Sequence, residues 1–136
     1  MKATLQAGVT ETTSHTVDRE RTIDFMGEKA RVYATPALLR DIEMAARDLL
    51  LAHLPEGQDS VGTRVELDHL AATLLGMTVT LELTVSEVNG RRVTLNVEGR
   101  DSVEPICRAT HQRFVVDVAS TERRLAAKAA QAGLTA

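Results

Sequence analysis

The sequence predicts an α+β fold in which one antiparallel sheet wraps around a single long α-helix. A helical pattern with a period of about 3.6 residues occurs over residues 35–53. One strand-like segment precedes it, and four segments after it alternate apolar and polar residues with a period of two. An antiparallel sheet with one buried face needs an apolar layer against it, and we expect the lone helix to supply that layer.

The first half of the chain provides the first strand and the helix. Residues 8–18 are rich in Thr and Val, which favours a strand, whereas residues 19–34 are expected to be irregular. We predict that the helix begins at Thr35-Pro36, because Thr is a favoured N-cap and Pro suits the first helical turn. It ends near His53, before Pro55-Glu56-Gly57. The core-facing positions, at spacings of three and four, are Leu38, Ile42, Ala45, Ala46 and Leu49.

The second half of the chain predicts four strands and a short helix. Residues 61–71 alternate with a period of two, so Val61, Val65, Leu67 and His69 are expected to share the core-facing side. The next two strands bury a shared set of apolar residues: Val79, Leu81, Leu83, Val85, Val93, Leu95 and Val97. Asn89-Gly90 between them is a strong hairpin signal, since both residues accept positive φ. After a polar turn, a last strand over 106–118 and a helix over 121–132 close the chain.

This element order is that of the hotdog fold, in which an antiparallel sheet wraps around one long central helix. Another small α+β sandwich with the same order of elements is the alternative. The 136 residues suit one domain, which we assign to residues 1–136.

Composition and charge argue against several classes of partner. The net charge is −3, and Tyr33 and two Phe residues are the aromatic side chains, so neither a basic field nor stacking platforms for nucleic acid are expected. The N-terminus lacks the apolar run of a signal peptide, and no stretch approaches the roughly 18 apolar residues that span a bilayer. We therefore expect a cytoplasmic protein with no nucleic-acid or membrane partner.

The sequence also predicts no metal and no cofactor. The four His residues do not have metal-ligand spacing, and neither a Cys pair nor a Gly-rich phosphate loop is present. The lone Cys107 is more typical of a small buried apolar residue than of a nucleophile.

Three polar residues could carry chemistry. His69 is expected to face the helix, where it is either a buried histidine bonded to a neighbour or a general base that titrates near neutral pH. Glu43 lies beside the core residue Ile42, although a helix Glu is most often solvated. Thr35 by itself is a helix cap. None of the three is specific when taken alone.

Taken together, several segments resemble the fluoroacetyl-CoA thioesterase family of hotdog proteins. The joint spacing carries the resemblance over roughly residues 33–118: Thr and Glu are eight residues apart, Gly and His seven apart, and an Arg lies forty-four beyond that His. The segments are Ala34-Thr35-Pro36, Glu43-Met44-Ala45, Gly62-Thr63 with His69, Gly76-Met77-Thr78-Val79-Thr80 and Thr110-His111-Gln112-Arg113.

The resemblance implies a set of site residues and an assembly. Thr35, Glu43 and His69 match the catalytic set of the family; Gly62 matches a glycine near the thioester carbonyl, and Arg113 an arginine of the last strand near the active site. It further implies a homodimer with sites at the subunit interface, and CoA as the leaving group of the substrate. Whether dimers pair into tetramers is left open.

The resemblance implies an acyl-CoA thioesterase that hydrolyses a small acyl thioester. We expect His69, oriented by Glu43, to act as the base, the Thr35 hydroxyl to position water or substrate, and a backbone N–H near Gly62 to hold the oxyanion. Glu43 as a direct nucleophile is the competing assignment. Eight helical residues separate Thr35 from Glu43 by about 12 Å along the axis, so either substrate lies between them or two chains build each site.

The predicted substrate is a short or medium acyl-CoA. The family that this sequence resembles has an aromatic lid ahead of its catalytic Thr. The corresponding residues here, 24–29, contain one aromatic residue, Phe25. A non-catalytic acyl-CoA binding or sensing module is the alternative function, and it would need Arg113 but not Glu43 and His69 together. A hydratase-like hotdog enzyme is a weaker alternative. That group is similar in having an Asp and a His about five residues apart on its helix segment, whereas Asp41 and His53 here lie twelve residues apart.

Overall fold

The computed structural model describes residues 1–134, which form five strands, two α-helices and two short 3₁₀ turns, the latter at Arg19–Arg21 and Glu28–Ala30. In chain order the main elements are β1 (Thr10–Thr16), α1 (Thr35–Leu51), β2 (Gln58–His69), β3 (Thr78–Asn89), β4 (Arg92–Arg100), β5 (Pro105–Asp117) and α2 (Val118–Gln131). The predicted order of one strand, one long helix and four further strands is therefore observed.

The five strands form one antiparallel sheet in the order β1-β3-β4-β5-β2. One face of this sheet packs against α1, as the need for an apolar layer predicted. The core side chains of β3, β4 and α1 are each at most 1% exposed: Val79, Leu81, Leu83, Val85, Val93, Leu95, Val97, Leu38, Ile42, Ala46 and Leu49. Ala45, the remaining core-facing residue predicted for the helix, is only partly buried.

The alternation predicted for β2 is wrong at its N-terminal half because the strand contains a β-bulge. Gly62 pairs with Arg113 and Arg64 pairs with Gln112, so Thr63 is an extra residue between them. The extra residue reverses the alternation, and Val61, expected in the core, is 47% exposed. Gly62, by contrast, lies on the same inner face as His69.

Helix α1 begins as predicted, but Thr35 is not its N-cap. Ala34 occupies the cap position and makes no side-chain cap hydrogen bond, while Thr35 is the first helical residue and Pro36 follows it. Proline tolerates this position because the first N–H groups of a helix have no intrahelical acceptor. The Thr35 hydroxyl is therefore available for another contact.

The turn between β3 and β4 lies one residue later than predicted. Asn89 pairs with Arg92, so the two loop residues are Gly90 and Arg91, and Gly90 has a φ of 60°. A glycine with positive φ at the first loop position suits a tight hairpin, and Asn89 needs no such conformation.

Helix α2 starts at Val118, three residues before the predicted position, directly after β5. None of its residues is buried. No helix in residues 1–134 is both long and apolar enough to span a membrane.

Candidate active site

Thr35 and His69 form a direct pair. The end of β2 lies beside the start of α1, and Thr35 Oγ1 is 2.7 Å from Nδ1 of His69. The second ring nitrogen, Nε2, is buried and has no hydrogen-bond partner among the described residues. Burial lowers the pKa of His69 below its usual value of 6.5, because the charged form loses hydration. The imidazole is therefore neutral at neutral pH and able to accept a proton.

The ring of Tyr33 supports this pair. It packs edge-on against His69, with ring centroids 6.4 Å apart and an interplanar angle of 83°. Its hydroxyl donates a hydrogen bond to Asp41, which also accepts from Arg21 Nε at 2.9 Å and Nη2 at 3.2 Å. His15 Nε2 lies 2.8 Å from the same hydroxyl. These contacts hold the segment that leads into Thr35 against α1.

The charges of this supporting network are compensated. Burial would raise the pKa of Asp41, but the hydrogen bonds from Arg21 and Tyr33 outweigh it and hold that pKa below its usual range. Burial, followed by the hydrogen bond to Asp41, raises the pKa of Tyr33, which keeps the phenol protonated. The network of Tyr33 and Asp41 was not predicted from the sequence, since their contact depends on how the irregular segment packs on the helix.

Glu43, Gly62 and Arg113 form a second group. The inner face of Gly62 is closely covered: a Cβ at this position would lie 3.4 Å from Glu43 Oε1 and 3.5 Å from Arg113 Nη1. Arg113 is 4% exposed and donates from Nε to Ser60 Oγ and from Nη2 to the Ser60 carbonyl, both at 2.8 Å. Burial lowers the pKa of Arg113, while the Glu43 carboxylate opposes that shift. A carboxylate and a guanidinium thus flank a bare stretch of backbone.

His111 belongs to this second group, although the sequence assigned it no role. It is fully buried, and its Nδ1–H donates to the Arg64 carbonyl at 2.9 Å. A carbonyl can only accept, so Nε2 carries no proton in the neutral ring and accepts from Arg113 Nη1 at 3.1 Å. Burial lowers the pKa of His111. His111 lies two residues before Arg113 on the same strand, so the two side chains share one face of the sheet. This spacing was the available signal that His111 lies beside Arg113.

Within one chain the two groups lie apart. Helix α1 runs alongside β2 in the opposite direction, so Thr35 meets His69 near one end, and Arg47 meets Asp59 near the other with contacts of 3.0 and 2.7 Å. The strand from Gly62 to His69 spans roughly 20 Å. No hydrogen bond joins Glu43 to His69 in the part of the chain that the structure describes. The orientation of His69 by Glu43 therefore does not arise within a single protomer.

An open pocket of about 410 Å³ lies beside Thr35 and His69. Its walls are mainly apolar and include Ile23, Phe25, Val32, Ala71 and Ala72. Phe25, the aromatic residue of the segment 24–29 that corresponds to the lid of the resembled family, is 79% exposed at this pocket. The pocket could receive an apolar group attached to a reacting carbonyl.

Other candidate groups do not form sites. Among residues 1–134 no cluster of three or more His, Cys, Asp or Glu side chains could hold a metal ion. Burial raises the pKa of the Cys107 thiol to about 11, which makes it a poor nucleophile. His53 Nδ1 contacts Thr4 Oγ1 at 2.7 Å, away from Asp41, so the hydratase pair does not share a site.

Comparisons with known proteins identify a family that this chain matches. A family model described as fluoroacetyl-CoA-specific thioesterase matches residues 17–119. A fluoroacetyl-CoA thioesterase from Streptantibioticus cattleyicolor is 35% identical over 89 residues, which are 65% of this chain and 64% of that protein. The matched region thus spans a little under two thirds of that relative.

Solved structures confirm the hotdog fold. A hot-dog-like protein from Thermanaerovibrio acidaminovorans has a TM-score of 0.80 and 31% identity, covering 88% of this chain and 89% of that chain. A variant of the fluoroacetyl-CoA thioesterase FlK in complex with acetyl-CoA has a TM-score of 0.83 and 27% identity, covering 91% and 98%. The family model matches well over half of the residues of this chain. The chain therefore belongs to the fluoroacetyl-CoA-specific thioesterase family, a family of enzymes.

Proposed function

We propose that the protein hydrolyses a small acyl-CoA to the free acid and CoA. The Thr35–His69 pair at the apolar pocket is the observation that carries this proposal, because it joins a neutral base to a hydroxyl where a carbonyl could enter. Family membership supports the same chemistry. The thioester already contains its leaving group, so no metal or redox cofactor is required. The cytoplasmic location stays a prediction from the sequence.

In the proposed reaction Thr35 donates its hydroxyl hydrogen to His69 Nδ1 and accepts a hydrogen bond from the attacking water. As the water oxygen bonds to the thioester carbon, its proton moves through the Thr35 hydroxyl to His69. The C–S bond then breaks, and the CoA thiolate takes the proton from the imidazolium. The negative charge on the carbonyl oxygen would be held by the backbone N–H at Gly62, with the Arg113 guanidinium close by.

The role of Glu43 has two versions, and an isotope experiment can detect the nucleophilic one. In the version we favour, the carboxylate stabilises the imidazolium of His69 without forming a bond to substrate. A single turnover in H₂¹⁸O would then place ¹⁸O in the released acid. If Glu43 were the nucleophile, it would form a mixed anhydride as the C–S bond breaks. Water that opened this anhydride at the Glu43 carboxyl carbon would leave the label on the protein and release acid with unlabelled oxygen, whereas attack at the acyl carbon would label the acid, so label on the protein is the outcome that identifies the nucleophile.

We propose a homodimer in which each site is shared. β2 lies at the edge of the sheet, so one side of its backbone is unpaired within the described residues. Antiparallel pairing of two copies of β2 about a two-fold axis near Glu66 would join the sheets. His69 and Thr35 of one protomer would then lie opposite the region of Gly62 and Glu43 of its partner. Pairing of such dimers into tetramers is a separate question that light scattering would answer.

Mixing two inactive variants tests the shared site. His69→Ala and Glu43→Gln are each expected to lower thiol release by about a hundredfold or more. After unfolding and refolding together, half of the dimers are mixed and each mixed dimer has one intact site, which restores about a quarter of wild-type activity. Sites built within one chain would give no restoration. Each variant refolded alone is the control.

We propose a short or medium acyl group as the part of the substrate that the pocket receives. One relative is described as a fluoroacetyl-CoA thioesterase, and a variant of such an enzyme binds acetyl-CoA. Here the lid segment contributes only Phe25 to an open apolar pocket, which supports a less selective site. Thiol release from acyl-CoAs of increasing length, with fluoroacetyl-CoA included, would measure the preference.

The alternative is an acyl-CoA binding or sensing module without catalysis. It would require a pocket and Arg113, but not a base paired to a hydroxyl. Tight binding of acyl-CoA by the wild-type protein with no release of thiol would favour this alternative and reject the thioesterase proposal.

A further inference from the structure

The β-bulge in β2 decides where Gly62 lies. In a regular strand, residues an odd number apart point to opposite faces, so Gly62 and His69 would be on different sides of the sheet. The extra residue Thr63 shifts the pairing with β5 and places both on the inner face. A bulge leaves backbone groups outside the regular ladder of hydrogen bonds, and those groups need other partners.

His111 contacts the bulge from the inner face of the sheet. Its Nδ1–H donates to the carbonyl of Arg64, the residue that follows the extra one, at 2.9 Å. Its Cε1 would lie 3.2 Å from a Cβ at Gly62, so the ring also forms the floor under the glycine. The imidazole is 0% exposed, so its contact to the Arg64 carbonyl is shielded from water.

The opposite edge of the same ring connects the bulge to α1. Nε2 accepts from Arg113 Nη1 at 3.1 Å, and the same Nη1 donates to the main-chain carbonyl of Glu43 at 3.4 Å. Arg113 is held in place by two bonds to Ser60. The chain of contacts thus runs from the bulge through His111 and Arg113 to the helix residue whose carboxylate covers Gly62.

We propose that His111 is a positioning residue, which holds the bulge at Thr63 so that the backbone of Gly62 is presented to the substrate carbonyl. This inference rests on the proposed thioesterase function. His111 does not touch the substrate; it acts through the Arg64 carbonyl. Its bond to Arg113 is secondary, because Ser60 already fixes the guanidinium through two other donors.

Two substitutions separate the two edges of the ring. The amide nitrogen of Asn can take the place of Nδ1, so His111→Asn keeps a donor for the Arg64 carbonyl and loses the acceptor for Arg113. The longer Gln places its amide near the position of Nε2, so His111→Gln keeps the contact to Arg113 and loses the donor to the bulge. Both replace a buried ring with a neutral amide, which makes each the control for the other.

The expected result is a loss in kcat that depends on which edge is kept. We expect His111→Gln to lower kcat by about thirtyfold or more with KM within about threefold, and His111→Asn to retain kcat within about fivefold. Equal losses in the two variants, a loss confined to KM, or full activity of His111→Gln would overturn the positioning role.

A measurement without substrate keeps this inference separate from the proposed function. Amide hydrogen exchange followed by NMR should be faster over residues 62–65 in His111→Gln than in the wild type, and unchanged over β4, whereas His111→Asn should match the wild type. Unchanged protection at the bulge in His111→Gln would reject the inference even if the wild type were active. A wild type that releases no thiol, together with the expected exchange pattern, would reject only the thioesterase function.

Discussion

Replacing Thr35 by Val removes the hydroxyl that His69 contacts while nearly preserving the shape of the side chain. The wild-type imidazole has a single hydrogen-bonding contact among the described residues, the 2.7 Å contact to Thr35, because Nε2 has none. After the substitution both ring nitrogens lack a partner. Thr35 is exposed, so water can replace part of the lost bond. The variant should therefore fold, with a base that is no longer connected to a hydroxyl.

The magnitude follows from the cost of leaving a partly buried polar group without a partner. We expect the free energy of unfolding of Thr35→Val to fall by about 1–2 kcal/mol. For a chain of this size that corresponds to a decrease in Tm of about 3–7 °C. Loss of a positioned proton-transfer group should lower kcat by about a hundredfold or more, which is far larger than the stability change would cause below Tm.

Two matched variants give this prediction its controls. Thr35→Ser keeps the hydroxyl and should retain kcat within about tenfold of wild type. Thr10→Val removes a hydroxyl that donates to the Leu83 carbonyl at 2.9 Å on β1, at the opposite edge of the sheet, and should leave kcat unchanged. The assay is release of free thiol from a short acyl-CoA at 25 °C, with Tm from circular dichroism. A Thr35→Val protein with kcat close to that of wild type would refute the proton path through Thr35.

Three further predictions concern pH and the glycine. Burial lowers the pKa of His69 within one protomer, whereas the Glu43 carboxylate would raise it in the proposed shared site. The acid midpoint of the profile of kcat/KM against pH should therefore be lower in Glu43→Gln than in wild type, and an unchanged midpoint would contradict the stabilisation of the imidazolium by Glu43. Burial also lowers the pKa of His15 and His111 in the folded protein. Near pH 6.5, the ordinary pKa of histidine, the unfolded chain therefore binds more protons than the folded protein does. The free energy of unfolding measured in urea should accordingly be highest above pH about 6.5 and should decrease as the pH falls. In Gly62→Ala the new Cβ would lie 3.2 Å from Cε1 of His111, and we expect a stability loss of about 1–3 kcal/mol. The same variant should lose kcat by about tenfold or more in the thiol assay, and a variant that unfolds less readily than wild type would show that the space is not restricted.

The regular elements could be predicted from the sequence because their signals are local. Alternation in β3 and β4 depends on neighbouring residues, and the predicted core positions such as Leu81 and Leu95 are fully buried in the structure. The start of α1 at Thr35-Pro36 was also predicted correctly, although the hydroxyl bonds across to β2 and not to the helix. A capping preference describes what a Thr does in isolation, and a tertiary partner can replace that contact.

The features that the sequence did not predict depend on pairing between distant segments. The bulge at Thr63 becomes visible only when β2 is aligned with β5, since nothing within residues 61–71 interrupts the alternation of the sequence itself. The network around Tyr33 likewise requires the irregular segment to return to α1, where Asp41 accepts its hydroxyl. His111 was present in the segment that carried the family resemblance, but its role depends on the bulge that it contacts.

The bulge and the edge position of β2 together account for the spacing of the candidate site. A regular strand would place Gly62 and His69 on opposite faces, and a central strand would leave no free edge for a second copy. With the bulge, both residues face inward. Because β2 is at the edge of the sheet, a two-fold axis between the two residues can place Gly62 of each protomer beside His69 of the other, which forms two sites per dimer. In such a dimer the buried guanidinium of Arg113 and the half-buried carboxylate of Glu43 would lie beside the thioester held by Thr35 and His69 of the other protomer. Catalysis would then require assembly, because each protomer alone has both halves of the site at positions too far apart to act on one carbonyl.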